Sequence, residues 1–211
     1  MAVINSKAGI CNLAIGHLGI STRVVSIDSP TTKEEKDCAL YYDITRQALL
    51  EAYDWSFAKS RVSVSASSET PAFKWSYKSS ELPSDLLRFN ALHYSNGSII
   101  VNTNRKMYEL EGNRILTDLS APYYISYTRN VEIVSEMSRL FVMLLSLSLA
   151  KQLYKTLGSS SSTLANVMQE YDKYEIKAVS VNNSQNPPIV VNSSNYVNQR
   201  AVSSYPSEVY S

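Results

Sequence analysis

Two histidines, two cysteines and one adjacent pair of acids are the residues in this chain best suited to chemistry. His17 and His93 could serve as metal ligands. Neither has a Cys, His or acidic residue at the spacing that metal sites use, and each reads as a packed or surface histidine. Cys11 and Cys38 fall on the apolar faces of two expected helices and read as buried free thiols. A disulfide would need an oxidising compartment, and nothing in the sequence points to one. Glu34 and Glu35 form a carboxylate pair, but they lie in the first turn of an expected helix. There they oppose the positive end of the helix dipole, which accounts for them without catalysis. No G-x-S-x-G elbow, G-x-x-x-x-G-K-[ST] loop or G-x-G-x-x-G turn occurs. Six glycines in the whole chain are too few for a phosphate cradle. The expectation is a protein with no catalytic residue, no cofactor and no metal. Acid pairs assembled only by the fold are invisible at this stage, so a hydrolase stays open as an alternative.

The bulk composition points the same way. Lys and Arg number 20 and Asp and Glu 19. This balance gives no whole-chain pull toward nucleic acid or membrane. The hydrophobic fraction of 44% can fill a core, while 18% charge leaves a thinly charged surface. The start, MAVINSKAGIC, lacks a basic segment followed by an apolar run, so no signal peptide is expected. The most apolar run, Leu140–Ala150, is far shorter than the roughly 20 residues of a membrane span. It reads as a helix buried by protein on most sides. Fifteen tyrosines favour binding or assembly over catalysis, because tyrosine gives large contact area with few rotamers to freeze.

Those residues are carried by four expected helices and a β region. The first helix runs from about Ser6, a capping residue, to Leu18, with Gly19 as its stop. Ile10, Ala14 and Leu18 share one face. Gly9 and Gly16 each cost roughly 1 kcal/mol in a helix, and close packing on another helix is the expected compensation. The second helix starts at Ser29-Pro30-Thr31-Thr32, where Thr31 with Glu34, or Thr32 with Glu35, has capping-box spacing. Its stripe is Cys38, Tyr41, Thr45, Ala48, Ala52 and Trp55, and it ends near Asp54. Residues 61–66, 72–77 and 123–129 read as strands. Asn96-Gly97 and Glu111-Gly112-Asn113 read as hairpin turns. Helical pattern resumes at Ser135 and stops at Gly158. A last helix buries Leu164, Val167, Tyr171, Tyr174 and Ala178.

The expected architecture is α+β and mainly helical. Residues 1–60 and 131–180 form a four-helix bundle, 61–130 a small antiparallel sheet inserted between helices 2 and 3, and 181–211 an extended C-terminal arm. The arm has six Asn, seven Ser and two charges, so it cannot bury enough surface to fold alone. Ile189, Val190, Val191, Tyr196, Tyr205 and Tyr210 are its sticky positions and the expected partner-binding residues. An arm that orders on a partner fits these better than a flexible tether.

Several segments stand out in order: Ala14-x-x-x-Leu18-Gly19, Val24-Val25-Ser26, and the helix with Cys38, Tyr42, Arg46 and Leu50 that closes in Trp55-x-Phe57-Ala58. Phe73-x-Trp75-x-Tyr77 and Leu82-Pro83-x-Asp85-x-Leu87-Arg88 follow, then Leu149-Ala150 and the Tyr171 helix. Taken together, these segments resemble the tail tubular protein A family of short-tailed phages. The resemblance covers about residues 5–180. It implies a structural virion protein with no enzymatic activity: a head-to-tail adaptor or gatekeeper in a dodecameric ring below the portal protein. Such a ring extends and seals the DNA channel and gives the tail nozzle protein a platform. It implies assembly in the host cytoplasm, a place at the head–tail junction of the virion, no membrane, and genomic DNA passing without specific binding. The alternative is a nucleic-acid-binding or cell-wall hydrolytic accessory protein.

Overall fold

A computed structural model describes residues 5–100 and 107–185. Helix α1 spans Lys7–His17, capped by the Ser6 hydroxyl, which accepts the Gly9 N–H at 3.1 Å. Gly19 ends it in a left-handed conformation (φ 73°), and the Ile20 N–H turns back to the Ile15 carbonyl at 3.3 Å. Helix α2 (Lys33–Ala52) opens with a capping box between Thr32 and Glu35, the second of the two spacings expected. Helix α3 covers Arg139–Leu153 and α4 covers Ser161–Gln185. Because α3 is apolar all round, it takes the centre: α1, α2 and α4 all pack on it, while α1 touches α2 only lightly.

Seven strands lie between α2 and α3 in the chain. They are β1 (Lys59–Val64), β2 (Tyr77–Lys78), β3 (Leu86–His93), β4 (Ile99–Ile100), β5 (Tyr108–Glu111), β6 (Arg114–Thr117) and β7 (Tyr123–Arg129). They form two antiparallel sheets, one in the order β1-β7-β3-β4 and the other β2-β6-β5. Both expected hairpin turns are present, with Gly97 at φ 85° and Gly112 at φ 57°.

The expected architecture is therefore corrected. The β part is not one small sheet set into a mainly helical protein: it is two sheets with a core of their own, and the described residues are 44% helix and 20% strand, an α+β mix. Within the helical part, three of the four helices are arranged on a central α3. One core lies among the helices. The second gathers Val64, Leu82, Leu92, Ile115, Tyr123, Ile125 and Tyr127 within the sheets.

Smaller differences have local causes. Of the 72–77 stretch only Tyr77 is strand, as the first residue of β2, because Lys74 sits at φ 72° and breaks the alternation. Helix α3 is capped by Ser138, with Ser135 inside a preceding 3-10 turn. Helix α2 buries Glu35, Cys38, Tyr42, Thr45, Arg46, Leu49 and Leu50, whereas Tyr41 is half-buried and Ala48 and Ala52 are exposed. The buried stripe is thus displaced by about one position from the expected one. Helix α4 continues to Gln185, beyond the expected start of the arm at 181, and Asn182 is buried on it.

Close packing does not explain Gly16. It is exposed, and a Cβ built there meets nothing within 4 Å. Gly16→Ala therefore gains helix propensity at no steric cost. Thermal unfolding of this variant is expected to show a stabilisation of about 0.5–1 kcal/mol.

Candidate functional site: a polar seam and an exposed helix face

The residues singled out for chemistry are spread apart. His17 lies between α3 and α4, with Nε2 3.3 Å from the Ser146 hydroxyl and Nδ1 3.7 Å from Glu170. Burial holds its pKa below the ordinary histidine value, against the opposing pull of Glu170. His93 borders a cleft of about 280 Å³, but both its ring nitrogens are engaged. Nδ1 is 3.1 Å from the Gly97 carbonyl and Nε2 2.8 Å from the Ser126 hydroxyl. Cys11 and Cys38 are free and buried. They meet across α1 and α2, and their mutual hydrogen bond, then burial, pushes the Cys11 thiol upward. Among the described residues no three His, Cys, Asp or Glu side chains gather as a metal site. No helix of the described chain is long and apolar enough to cross a membrane.

Glu35 is built into the backbone. Its carboxylate accepts N–H groups from Thr31 (2.8 Å), Thr32 (3.1 Å) and Val25 (3.0 Å), and the Thr31 hydroxyl at 2.9 Å. These donors, the Thr31 amide foremost, hold its pKa down to about 2. One side chain thus caps α2 and pins the connection from α1.

A second polar set joins the helices to the sheets. Arg46 is 1% exposed. Its Nη1 donates to Asn130 Oδ1 at 2.6 Å and to the Val131 carbonyl at 2.7 Å, and Nη2 donates to Asp43 Oδ1 at 3.0 Å. The Asn130 N–H continues to the Asp85 carbonyl at 2.7 Å, and the Tyr127 hydroxyl donates to Asp85 Oδ1 at 3.0 Å. Arg88 reaches from β3 to the Glu51 carbonyl and Asp54 at the end of α2. Trp55 adds an aromatic part: its indole N–H donates to the Leu49 carbonyl at 2.7 Å, and its ring lies 5.1 Å from Phe141 of α3. Leu82-Pro83-x-Asp85-x-Leu87-Arg88 thus supplies Asp85 and Arg88 to this seam, and Trp55-x-Phe57-Ala58 packs beside it in the helical core.

Opposite the buried face of α2 lie Leu40 and Ile44, 67% and 65% exposed, with Ala48 one turn further. Lys33 and Lys36 precede them and Glu51 follows. The sequence reading missed this face because its phase for α2 was displaced. Setting Arg46 inside the helix wheel would have placed both residues outside. The six arm positions, Ile189, Val190, Val191, Tyr196, Tyr205 and Tyr210, lie outside the described residues. No family model matches the chain, and no curated protein matches it.

Glu35 makes a pH-dependent contribution of definite sign. A folded-state pKa of about 2 lies below the ordinary glutamate value. Its stabilisation is complete above that ordinary value and disappears as pH falls toward the folded one. Glu35→Gln is expected to melt lower than the native chain at pH 6–7. In melting curves recorded across pH, the gap should narrow below about pH 4. A gap constant from pH 7 to pH 2.5 contradicts the assignment.

Proposed function

We propose that this chain is a structural protein of a short-tailed phage particle, an adaptor that forms a ring beneath the portal and carries the tail nozzle on its far side. The observation that carries this reading is the outward face of α2. Leu40 and Ile44 are the most exposed aliphatic side chains of that helix, and covering each is worth about 1.5–3 kcal/mol. Among the described residues both stay largely uncovered. A ring needs heterologous contacts, in which one face of each subunit meets a different face of the next, and an apolar helix face suits that use. The seam supports the reading, because a wall element that resists a DNA column must not hinge between its layers. Charge near neutrality lets DNA pass without being held.

The family resemblance supplies the rest of the proposal: the dodecameric ring, the portal and nozzle as partners, and the place at the head–tail junction. The arm reaches from each subunit toward the portal, with Tyr196, Tyr205 and Tyr210 as contact positions. Many modest contacts in one ring act together.

The test is electron microscopy of the purified chain mixed with its portal rings. An added ring of density on one face of each portal is expected. The double variant Leu40→Asp/Ile44→Asp should keep its helical circular dichroism and stay within a few degrees of the native melting temperature, since both sites are exposed. It should fail to build the ring. Portals left bare by the native chain reject the adaptor reading. A double variant that assembles as well as the native chain rejects the role of α2.

A further inference from the structure

Helix α4 delivers the chain to an open sheet edge. Asn182 Oδ1 accepts the Ser56 N–H at 2.8 Å, Asn182 Nδ2 donates to the Asp54 carbonyl at 2.8 Å, and the Ser56 hydroxyl donates to Gln185 Oε1 at 3.2 Å. Ser56 stands just ahead of β1. In the four-stranded sheet β1 is outermost, and among the described residues it pairs on one side only, with β7. Past Val64 the chain pairs with the Lys78–Ser80 stretch: Ala66 bridges Ser79, and the Ser80 N–H donates to the Ser65 carbonyl at 2.8 Å. The open edge is therefore β1 itself, beginning where α4 arrives. Val62 shows the consequence. Its partner across the sheet, Ile125, is buried, while Val62 is half-buried.

The sequence after Gln185 contains a segment suited to that edge. Asn186-Pro187-Pro188 leads into Ile189-Val190-Val191, the one run of three β-branched residues in the rest of the chain. Proline imposes extended backbone on the residue before it, and β-branched residues fit a pleated, half-buried surface. At roughly 3.3 Å per residue, the intervening three residues span about 10 Å, against some 20 Å for the whole of β1. A connection of that length is enough to bring residues 189–191 alongside the strand with no long loop to close.

We propose that residues 189–191 pair with the free edge of β1 in the same subunit, as a fifth strand of that sheet. Ile189 and Val191 then share one face and extend the cover over Val62. The new strand also closes an edge that would otherwise template aggregation. The arm is rooted on the sheet, and Tyr196, Tyr205 and Tyr210 start from there rather than from the tip of α4. This inference goes beyond the adaptor reading and needs no portal.

The test is residue-resolved amide hydrogen exchange by NMR on the isolated full chain. It is repeated on a chain ending at Gln185, which keeps Asn182, and on full-length Val190→Pro and Tyr196→Ala. The outward amides of the Lys59–Ser63 stretch are expected to exchange at least about tenfold more slowly in the full chain and in Tyr196→Ala than in the other two. Should the chain ending at Gln185 fail to fold, Val190→Pro decides alone, because proline removes the strand's central donor. Equal rates in the native chain and Val190→Pro overturn the proposal. So does slow exchange that appears in labelled truncated chain only when unlabelled full chain is added, because the strand then comes from another copy.

Discussion

A guanidinium buried between α2 and the chain leaving β7 is the constraint on which the rest of the structure depends. Arg46 keeps its charge in the interior, so its donors must all be met. Asp43 meets two of them from the same helix. Two more are met by the side chain and backbone that follow β7. The requirement fixes where β7 exits against α2. Through Asn130 and Asp85 it also fixes where β3 begins. Two cores that bury different residues are thereby held in one relation.

The same residue sets the exposed face of α2. With about 100° of rotation per residue, Ile44 lies some 200° around the helix from Arg46. Turning the guanidinium inward therefore turns Ile44 and its neighbour Leu40 outward. The exposed apolar face of α2 is a consequence of the seam, not an independent feature of the surface. In the proposed ring, the interaction that joins helices to sheets also decides which side of each subunit meets the next.

What was legible in the sequence was local. Ser6 and Gly19 frame α1, Thr32 with Glu35 opens α2, and Asn96-Gly97 and Gly112 turn the hairpins as their spacing foretold. Each depends on partners a few residues away. The α4 stripe was also legible, because Val167, Tyr171, Tyr174 and Ala178 face the core with no charge among them. What escaped depends on partners far along the chain. Arg46 with Asn130, His17 with Glu170 and Asn182 with Ser56 pair across more than eighty residues, and no periodicity announces such pairs. The expected stripe ran through Tyr41, Ala48 and Ala52 and left out Tyr42 and Arg46, which displaced the phase of α2 and hid the outward face of Leu40 and Ile44. Two sheets were read as one because alternation marks a strand but not the sheet it joins. Of the candidate site, the seam segments were visible only as parts of the resemblance, and their polar partners were not.

The central claim is that Arg46 makes helices and sheets one cooperative unit, and hydrogen exchange across a denaturant series tests it most directly. Amides of α3 and of β7 are followed in the native chain and in Arg46→Met. In the native chain both sets are expected to open with one free energy. In Arg46→Met the Val131 carbonyl and Asn130 are left without their partner, at about 1–3 kcal/mol for each buried group. The β7 amides should then open at lower denaturant than those of α3. Separate opening in the native chain, or unchanged coincident opening in Arg46→Met, contradicts the account.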